Sequence, residues 1–372
     1  MTFCIITHVS HGIENEGYFA YSPYVREMNV WSKYVDRIIL VAPLNSANKS
    51  SIDTVYEHNN IDFRKVAKFN FLNLKSSITT LLLLPKISFE IYKAMKISDH
   101  IHLRCPGNMG LLGSVIQILF PNKLKTAKYA GNWDSNAKQP RSYQFQKWIL
   151  NNTFLTKKMK VLVYGEWENS SKNIKPFFTA TYSEKDKIDS PPRDLSGLIS
   201  FLFVGTLVSG KQPLYVVQLV EALKLKGNNV QLALYGEGNQ RQIIEKYILE
   251  KQLTDFVFLK GNEDQEHIKK AFQVNHFVIL PSKSEGWPKV IAEGMFWGCL
   301  PIATKVSCVP NMLDNGNRGL LLDMNLEDDV LQIQSLLNND KVYQEKAHKA
   351  INWSRQYTLD VFESEIKMLL QQ

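Results

Sequence analysis

Short apolar runs alternate with longer stretches of helical period along the whole 372-residue chain. Residues 3–7 (FCIIT), 38–42, 61–66, 99–104, 124–130 and 159–164 predict strands, most of them rich in apolar and β-branched side chains. Between them, residues 23–34, 74–96, 109–120 and 144–155 place apolar side chains at helical spacing, with Val25, Met28 and Trp31 the clearest set. Pro85 is expected to break or kink the second of these helices, because it removes an N–H and crowds the preceding turn. The second half repeats the scheme. Strands are predicted at 201–204, 230–235, 256–260, 276–280, 300–304 and 319–322. Helices are predicted at 213–226, 241–251 and 266–272, from near Pro288, and through 343–370. Such alternation predicts an α/β protein whose parallel sheets are covered by helices on both faces.

One segment interrupts the pattern. Residues 183–200, SEKDKIDSPPRDLSGLIS, are charged and carry a Pro-Pro pair and a glycine. That composition predicts a boundary, with one domain over residues 1–190 and a second over 191–352. Two doubly wound domains facing a cleft are expected, with the ligand pocket in the cleft.

Composition narrows the class. Hydrophobic residues at 44% and charged residues at 22% are ordinary for a soluble globular chain. Cys4, Cys105, Cys299 and Cys308 form no C-x-x-C pair and are expected to be reduced thiols of a cytoplasmic protein. The start, MTFCIITHVSHG, has no basic leader, and no stretch reaches the ~18 uninterrupted apolar residues of a spanning helix. The net charge of +8 is uneven: residues 1–197 hold 26 basic against 16 acidic residues, and 198–372 hold 18 against 20. The basic first half has two readings, an anionic membrane surface (or a lipid diphosphate held in it) or dispersed lysines with no partner. No RNA-binding signature or helix-turn-helix is present, so no nucleic-acid partner is expected. No His/Cys cluster has metal-ligand spacing, so no metal is expected. The missing G-x-S-x-G argues against an α/β-hydrolase.

Candidate chemistry gathers where predicted strands end. Residues 280–301, LPSKSEGWPKVIAEGMFWGCLP, run from a strand through a polar loop with Glu285, Gly286, Trp287 and Pro288 into a helix bearing Glu293. Two acids flanking a helix start suit a ligand with two polar handles, and the free N–H groups of the first turn suit a phosphate between them. Other strands end in glycine loops at Gly205-Thr206 and at Gly236, and an early loop holds Gly17. Lys211 sits at a helix start, where its charge opposes the dipole unless an anion lies in front of it. Arg104 and the Asn132-Trp133-Asp134 loop are pocket candidates in the first half; the alternative is that these loop residues cap their own backbone.

Residues 201–325 resemble the retaining glycosyltransferases of family 4, which have the GT-B architecture. The resemblance rests on Gly205-Thr206-Leu207 with Lys211, on Leu234-Tyr235-Gly236-Glu237-Gly238, on Phe258-Leu259-Lys260-Gly261, on Ser282 through Glu293, on Gly298-Cys299-Leu300-Pro301, and on Asn315-Gly316 with Gly319. It implies transfer of a sugar from a nucleotide-diphosphate sugar to an acceptor hydroxyl with retention at the anomeric carbon. Within it, Glu285 would contact the donor sugar, Glu293 the ribose, and Lys211 the leaving diphosphate. The N–H groups of Gly286 and Trp287 would face the phosphates, and Gly17 would approach them from the first domain. The family's arginine in the first loop is Thr206 here, so Arg104 or Lys289 substitutes for it or catalysis is weaker. The resemblance also implies no cofactor or metal, a growing glycan or lipid-linked acceptor, and a last helix, about 353–370, that crosses back to the first domain. With the basic first half, it places the protein in the cytoplasm or on the inner face of the cell membrane, in polysaccharide or glycolipid synthesis. A catalytically silent nucleotide-sugar-binding protein and a GT-B-shaped sugar-nucleotide epimerase are the alternatives.

Overall fold

The computed structural model describes residues 1–371 apart from 16, 47, 51, 70–73 and 191, and for 74–79 the backbone alone. The chain forms two compact units, Met1–Phe177 with Phe362–Gln372, and Phe178–Val361.

The first unit contains β1 (Thr2–Ile6), β2 (Gly12–Glu14), β3 (Gly17–Tyr21), α1 (Ser22–Ser32), β4 (Arg37–Pro43), β5 (Asp53–Val55), β6 (Ile61–Val66), α2 (Leu74–Ile97), β7 (His100–Cys105), α3 (Asn108–Ile116), β8 (Leu124–Tyr129), α4 (Arg141–Leu150), β9 (Met159–Tyr164) and β10 (Ile174–Phe177). Among the described residues, seven of these strands make a parallel sheet in the order β10-β9-β8-β7-β1-β4-β6. Cys4 of β1 faces Ile39 and Ile101 in register, and Phe3 through Ile6 have no exposed surface. A central parallel strand covered on both faces needs such an unbroken apolar run. The short strands β2, β3 and β5 form a separate antiparallel sheet that periodicity did not predict. Two of them have only three residues, too few for an alternation to show.

Helix α2 runs through Pro85 without a break. The carbonyl that Pro85 cannot bond belongs to Leu81, which is 61% exposed, so water can satisfy it. Within the aromatic stretch 69–89, residues 70–73 lie outside the described residues. Leu81 and Leu82 are exposed, whereas Leu83 packs on the core. Among the described residues no helix is long and apolar enough to cross a membrane.

The second unit contains β11 (Ile199–Val204), α5 (Pro213–Leu225), β12 (Val230–Tyr235), α6 (Arg241–Glu250), β13 (Val257–Gly261), α7 (Gln265–Val274), β14 (Phe277–Leu280), α8 (Lys289–Phe296), β15 (Leu300–Thr304), α9 (Val309–Met312), β16 (Leu320–Leu322), α10 (Leu326–Leu337) and α11 (Asp340–Ser354). Its described strands form a parallel sheet in the order β13-β12-β11-β14-β15-β16. Both units are therefore doubly wound α/β, Rossmann-like layers. The charged 183–200 segment is anchored on the second unit. Ser183 and Asp186 close a capping box, and Arg193 donates to the carbonyls of Phe272 and Trp297, both at 2.8 Å. The single helix predicted over 343–370 is two, α11 and α12 (Leu359–Leu370). Thr358 makes the break: its hydroxyl donates to Glu184 and accepts from the Val361 N–H that begins the next helix. The four cysteines are buried free thiols, each pushed by burial to a pKa of about 12.

Candidate active site

In the second sheet the winding reverses between β11 and β14, so the loops that leave their C-terminal ends meet at a switch point. Two backbone features bring the loops together. Gln212 adopts a left-handed conformation (φ 52°) just before Pro213 starts α5, and its amide donates to the Pro281 carbonyl at 2.6 Å. The N–H of Lys283 donates to the Gly210 carbonyl at 2.9 Å. The result is an ion pair between Lys211 Nζ and Glu285 Oε1, with the Glu285 side chain only 9% exposed and Lys211 30%. The anion that the helix-start lysine calls for is supplied by the neighbouring loop.

The remaining residues are set by the same loops. The Gly286 carbonyl is held by Ser307 Oγ at 3.2 Å and Cys308 Sγ at 3.1 Å. Trp287 lies against the rings of Trp353 and Tyr357. Pro288 is the N-cap residue of α8, which begins at Lys289. Glu293, the fifth residue of α8, accepts a hydrogen bond from Thr181 Oγ1 at 2.6 Å. Burial raises its pKa above the usual carboxylate value, against the Thr181 hydrogen bond and the charge of Lys289.

The glycine loops have a structural cause of their own. A Cβ on Gly236 would fall 1.9 Å from the Gly205 carbonyl oxygen, and one on Gly238 would fall 2.3 Å from that of Leu207. The N–H groups of Gly205 and Leu207 in turn donate to Tyr235 and Glu237, both at 2.9 Å. The loop after β11 thus rests backbone to backbone on the loop after β12, which fixes Lys211 from behind. Thr206 is exposed on this loop.

In the first unit, Arg104 is paired with Glu27 at 2.6 Å, with both side chains nearly buried. Trp133 is a core residue packed edge-on against Tyr129. Asn132 and Asp134 accept from the N–H groups two residues ahead, at 2.9 Å each, so they do cap their own loop. Gly17 sits in the β2–β3 hairpin opposite Glu14. The residues that sequence reasoning missed lie at the C-terminal edge of this sheet, beside its own switch point between β1 and β7. There a pocket of about 350 Å³ is lined by His8, Lys68, Gly107, Asn108 and Tyr143 among others. Gly107 has φ +141°, and a Cβ there would come within 3.0 Å of the His8 ring. Desolvation, with the Arg104 charge second, lowers the His8 pKa, so its imidazole is neutral at pH 7. The Cys-Pro-Gly that ends the 99–104 strand was the available signal, because backbone at a switch point is where a ligand approaches.

The family described as glycosyl transferases group 1 matches residues 185–356. An uncharacterized glycosyltransferase of Methanocaldococcus jannaschii is 28% identical over 158 residues, 42% of this chain and 43% of that protein. A poly(ribitol-phosphate) alpha-N-acetylglucosaminyltransferase of Staphylococcus aureus is 28% identical over 172 residues, 46% of this chain and 34% of that protein. The matches therefore span less than half the length of these relatives. Among solved structures, Anabaena HepE in complex with UDP aligns over 100% of this chain and 99% of its own, with a TM-score of 0.68 at 12% identity. That likeness shows the GT-B fold.

Proposed function

We propose, because residues 185–356 match the glycosyl transferases group 1 family, that the protein is a retaining glycosyltransferase that moves a sugar from a nucleotide-diphosphate sugar to an acceptor hydroxyl in the synthesis of a cell-surface polysaccharide or glycolipid. The observation that carries this reading is the Lys211–Glu285 pair at the switch point, with Glu293 on the helix that follows. Donor binding exchanges one partner for another. The diphosphate takes Lys211 from Glu285, and Glu285 is freed to accept hydrogen bonds from the sugar hydroxyls. Glu293 accepts from the ribose hydroxyls, and the N–H groups of Gly286 and Trp287 face the phosphates. Lys211 then opposes the charge that grows on the leaving group, an interaction stronger in the transition state than in the ground state.

In the reaction the bond between the anomeric carbon and the phosphate oxygen breaks. The acceptor oxygen bonds the same face of that carbon, and its proton passes to the departing phosphate. The scheme asks for no side-chain nucleophile and no metal. With Arg104 held by Glu27, the charge that Thr206 lacks falls to Lys289, the first residue of α8. The pocket at His8, Lys68 and Gly107 receives the acceptor. A cytoplasmic place at the inner membrane face fits the nucleotide-sugar donor and the basic first unit. UDP-sugars are the donors to try first, since HepE binds UDP.

The test is incubation with UDP-, GDP- and ADP-sugars and glycan acceptors, following nucleotide release and product configuration by NMR. Acceptor-dependent release with the donor's anomeric configuration kept supports the proposal. Binding of every donor without turnover would make this a silent binding protein, and donor conversion without acceptor would make it an epimerase.

A further inference from the structure

The N-terminal edge of the first unit's large sheet, opposite the edge assigned to the acceptor, holds a second pocket of about 380 Å³. Its floor is made where β7 and β8 begin, by His100 and Lys125, and its walls carry Lys157, Lys158, Lys160 and Lys172. None of the described residues lining it is acidic. The four wall lysines are exposed, but Lys125 is 2% exposed. The Lys125 ammonium donates to the carbonyls of Phe120 at 2.9 Å and Gln117 at 3.5 Å, neutral oxygens that bring no counter-charge. Burial alone lowers its pKa to about 8, so it stays mostly charged near pH 7.

A second observation at the floor also points to a ligand. His100 is 1% exposed, and its Nε2 meets the Thr126 hydroxyl at 3.0 Å. Its other ring nitrogen, Nδ1, is buried without a hydrogen-bond partner. A buried polar atom left unpaired costs roughly 1–3 kcal/mol, so such atoms normally mark a missing partner. The Thr126 hydroxyl also meets His102 Nδ1 at 2.8 Å; in the tautomer in which its one proton goes to His100, Nδ1 of His100 carries the ring proton and is a donor. A buried ammonium without a counter-ion, an unused buried ring nitrogen and four more ammonium groups around one cavity share a single complement.

We propose that this pocket binds a phosphate-bearing anion, with Lys125 and His100 at its floor and Lys157, Lys158, Lys160 and Lys172 around it. The phosphate oxygens replace the missing acceptors, and the wall lysines supply charge-assisted hydrogen bonds. The anion is either a free phosphate compound or a lipid headgroup. Phe154, 75% exposed beside the wall, and Leu119, 66% exposed beside the carbonyls that hold Lys125, would enter the apolar layer in the second case.

The experiment compares the intact protein with the triple variant Lys157→Glu, Lys160→Glu, Lys172→Glu and with a control of equal charge change, Lys226→Glu, Lys251→Glu, Lys349→Glu. One arm measures protection of individual lysines from acetylation by inorganic pyrophosphate, read by peptide mass. The other measures cosedimentation with phosphatidylcholine vesicles with and without phosphatidic acid. Protection of the wall lysines by pyrophosphate identifies a free phosphate ligand, and binding only to the phosphatidic-acid vesicles identifies a headgroup. In either arm the triple variant, read at its remaining wall lysine Lys158 in the acetylation arm, is expected to lose about tenfold in affinity or more, while the control keeps its binding. Absence of both protection and vesicle binding overturns the proposal, as does equal loss in the two variants. Site-resolved protection also separates this pocket from Lys211, so failure of the transferase reading leaves the result intact.

Discussion

Replacing Glu293 by glutamine is expected to stabilise the protein while weakening its use of donor. The carboxyl accepts one hydrogen bond from Thr181 at 2.6 Å and feels the charge of Lys289, both of which favour the ionised form. Burial nevertheless wins, since the pKa is raised. Above its folded pKa the folded state therefore holds a charge that would be better solvated in the unfolded chain. Glutamine keeps an oxygen for Thr181 and removes the charge. The lost charge-assisted component of that bond is about 1 kcal/mol, and the relieved desolvation exceeds it. A net gain of about 1 kcal/mol corresponds to about 2–4 °C in Tm for a unit of this size. The sign with pH follows from linkage. A carboxyl with a raised folded pKa binds protons more tightly in the folded state, so wild-type stability falls as pH rises from the unfolded carboxylate value through the folded one. The advantage of the variant should be full above the folded pKa and shrink as pH is lowered through that window. Thermal unfolding of both proteins from pH 4 to 8 measures it. A variant less stable than wild type at pH 7, or a difference that ignores pH, would refute the reasoning.

Three further outcomes are expected. Gly236→Ala should disrupt the contact between the two loops, because its Cβ meets the Gly205 carbonyl at 1.9 Å and φ is +139°. A loss of at least about 3 kcal/mol would appear as a lowered denaturant midpoint, and an unchanged midpoint would contradict the packing described. Pro85→Ala should stabilise the first unit by up to about 3 kcal/mol, restoring the N–H that Leu81 lacks in an otherwise continuous helix; a drop in Tm would show that Pro85 shapes α2 in a way its backbone does not reveal. Lys211→Ala should cut kcat for transfer by about 100-fold and weaken binding of nucleoside diphosphate, read by titration calorimetry, and unaltered kcat would remove Lys211 from the leaving-group role.

Most strands of the two sheets, and most helices that cover them, were legible because each is a local pattern: period two or an apolar run for β1 and β14, period 3.6 for α1 and α5; the four-residue edge strand β10, with Pro176 inside it, was not. The loop from Ser282 to Glu293 was legible for the same reason, since its acids, glycine and helix start are neighbours in sequence. What stayed hidden depends on residues far apart in the chain. Thr181 reaches Glu293, Lys211 reaches Glu285, and Arg104 turns to Glu27, and no periodicity encodes any of these. Gly236 and Gly238 read as places for a ligand to approach, yet their missing Cβ atoms make room for the carbonyls of Gly205 and Leu207. The break between α11 and α12 was missed because Thr358 is an ordinary helix residue until its hydroxyl finds Glu184.

The most direct test of the account is Glu285→Gln, assayed for sugar transfer and for nucleoside-diphosphate binding in the same preparation. The Glu285 side chain is 9% exposed and its partner is Lys211. In the role proposed for Glu285, the change removes a charge-assisted acceptor for the sugar hydroxyls, worth roughly 1.5–3 kcal/mol, or about 10- to 150-fold. The account predicts that kcat/KM for transfer falls by that factor or more while the nucleoside diphosphate, which does not touch Glu285, binds at least as well as before. Transfer at the wild-type rate would contradict it.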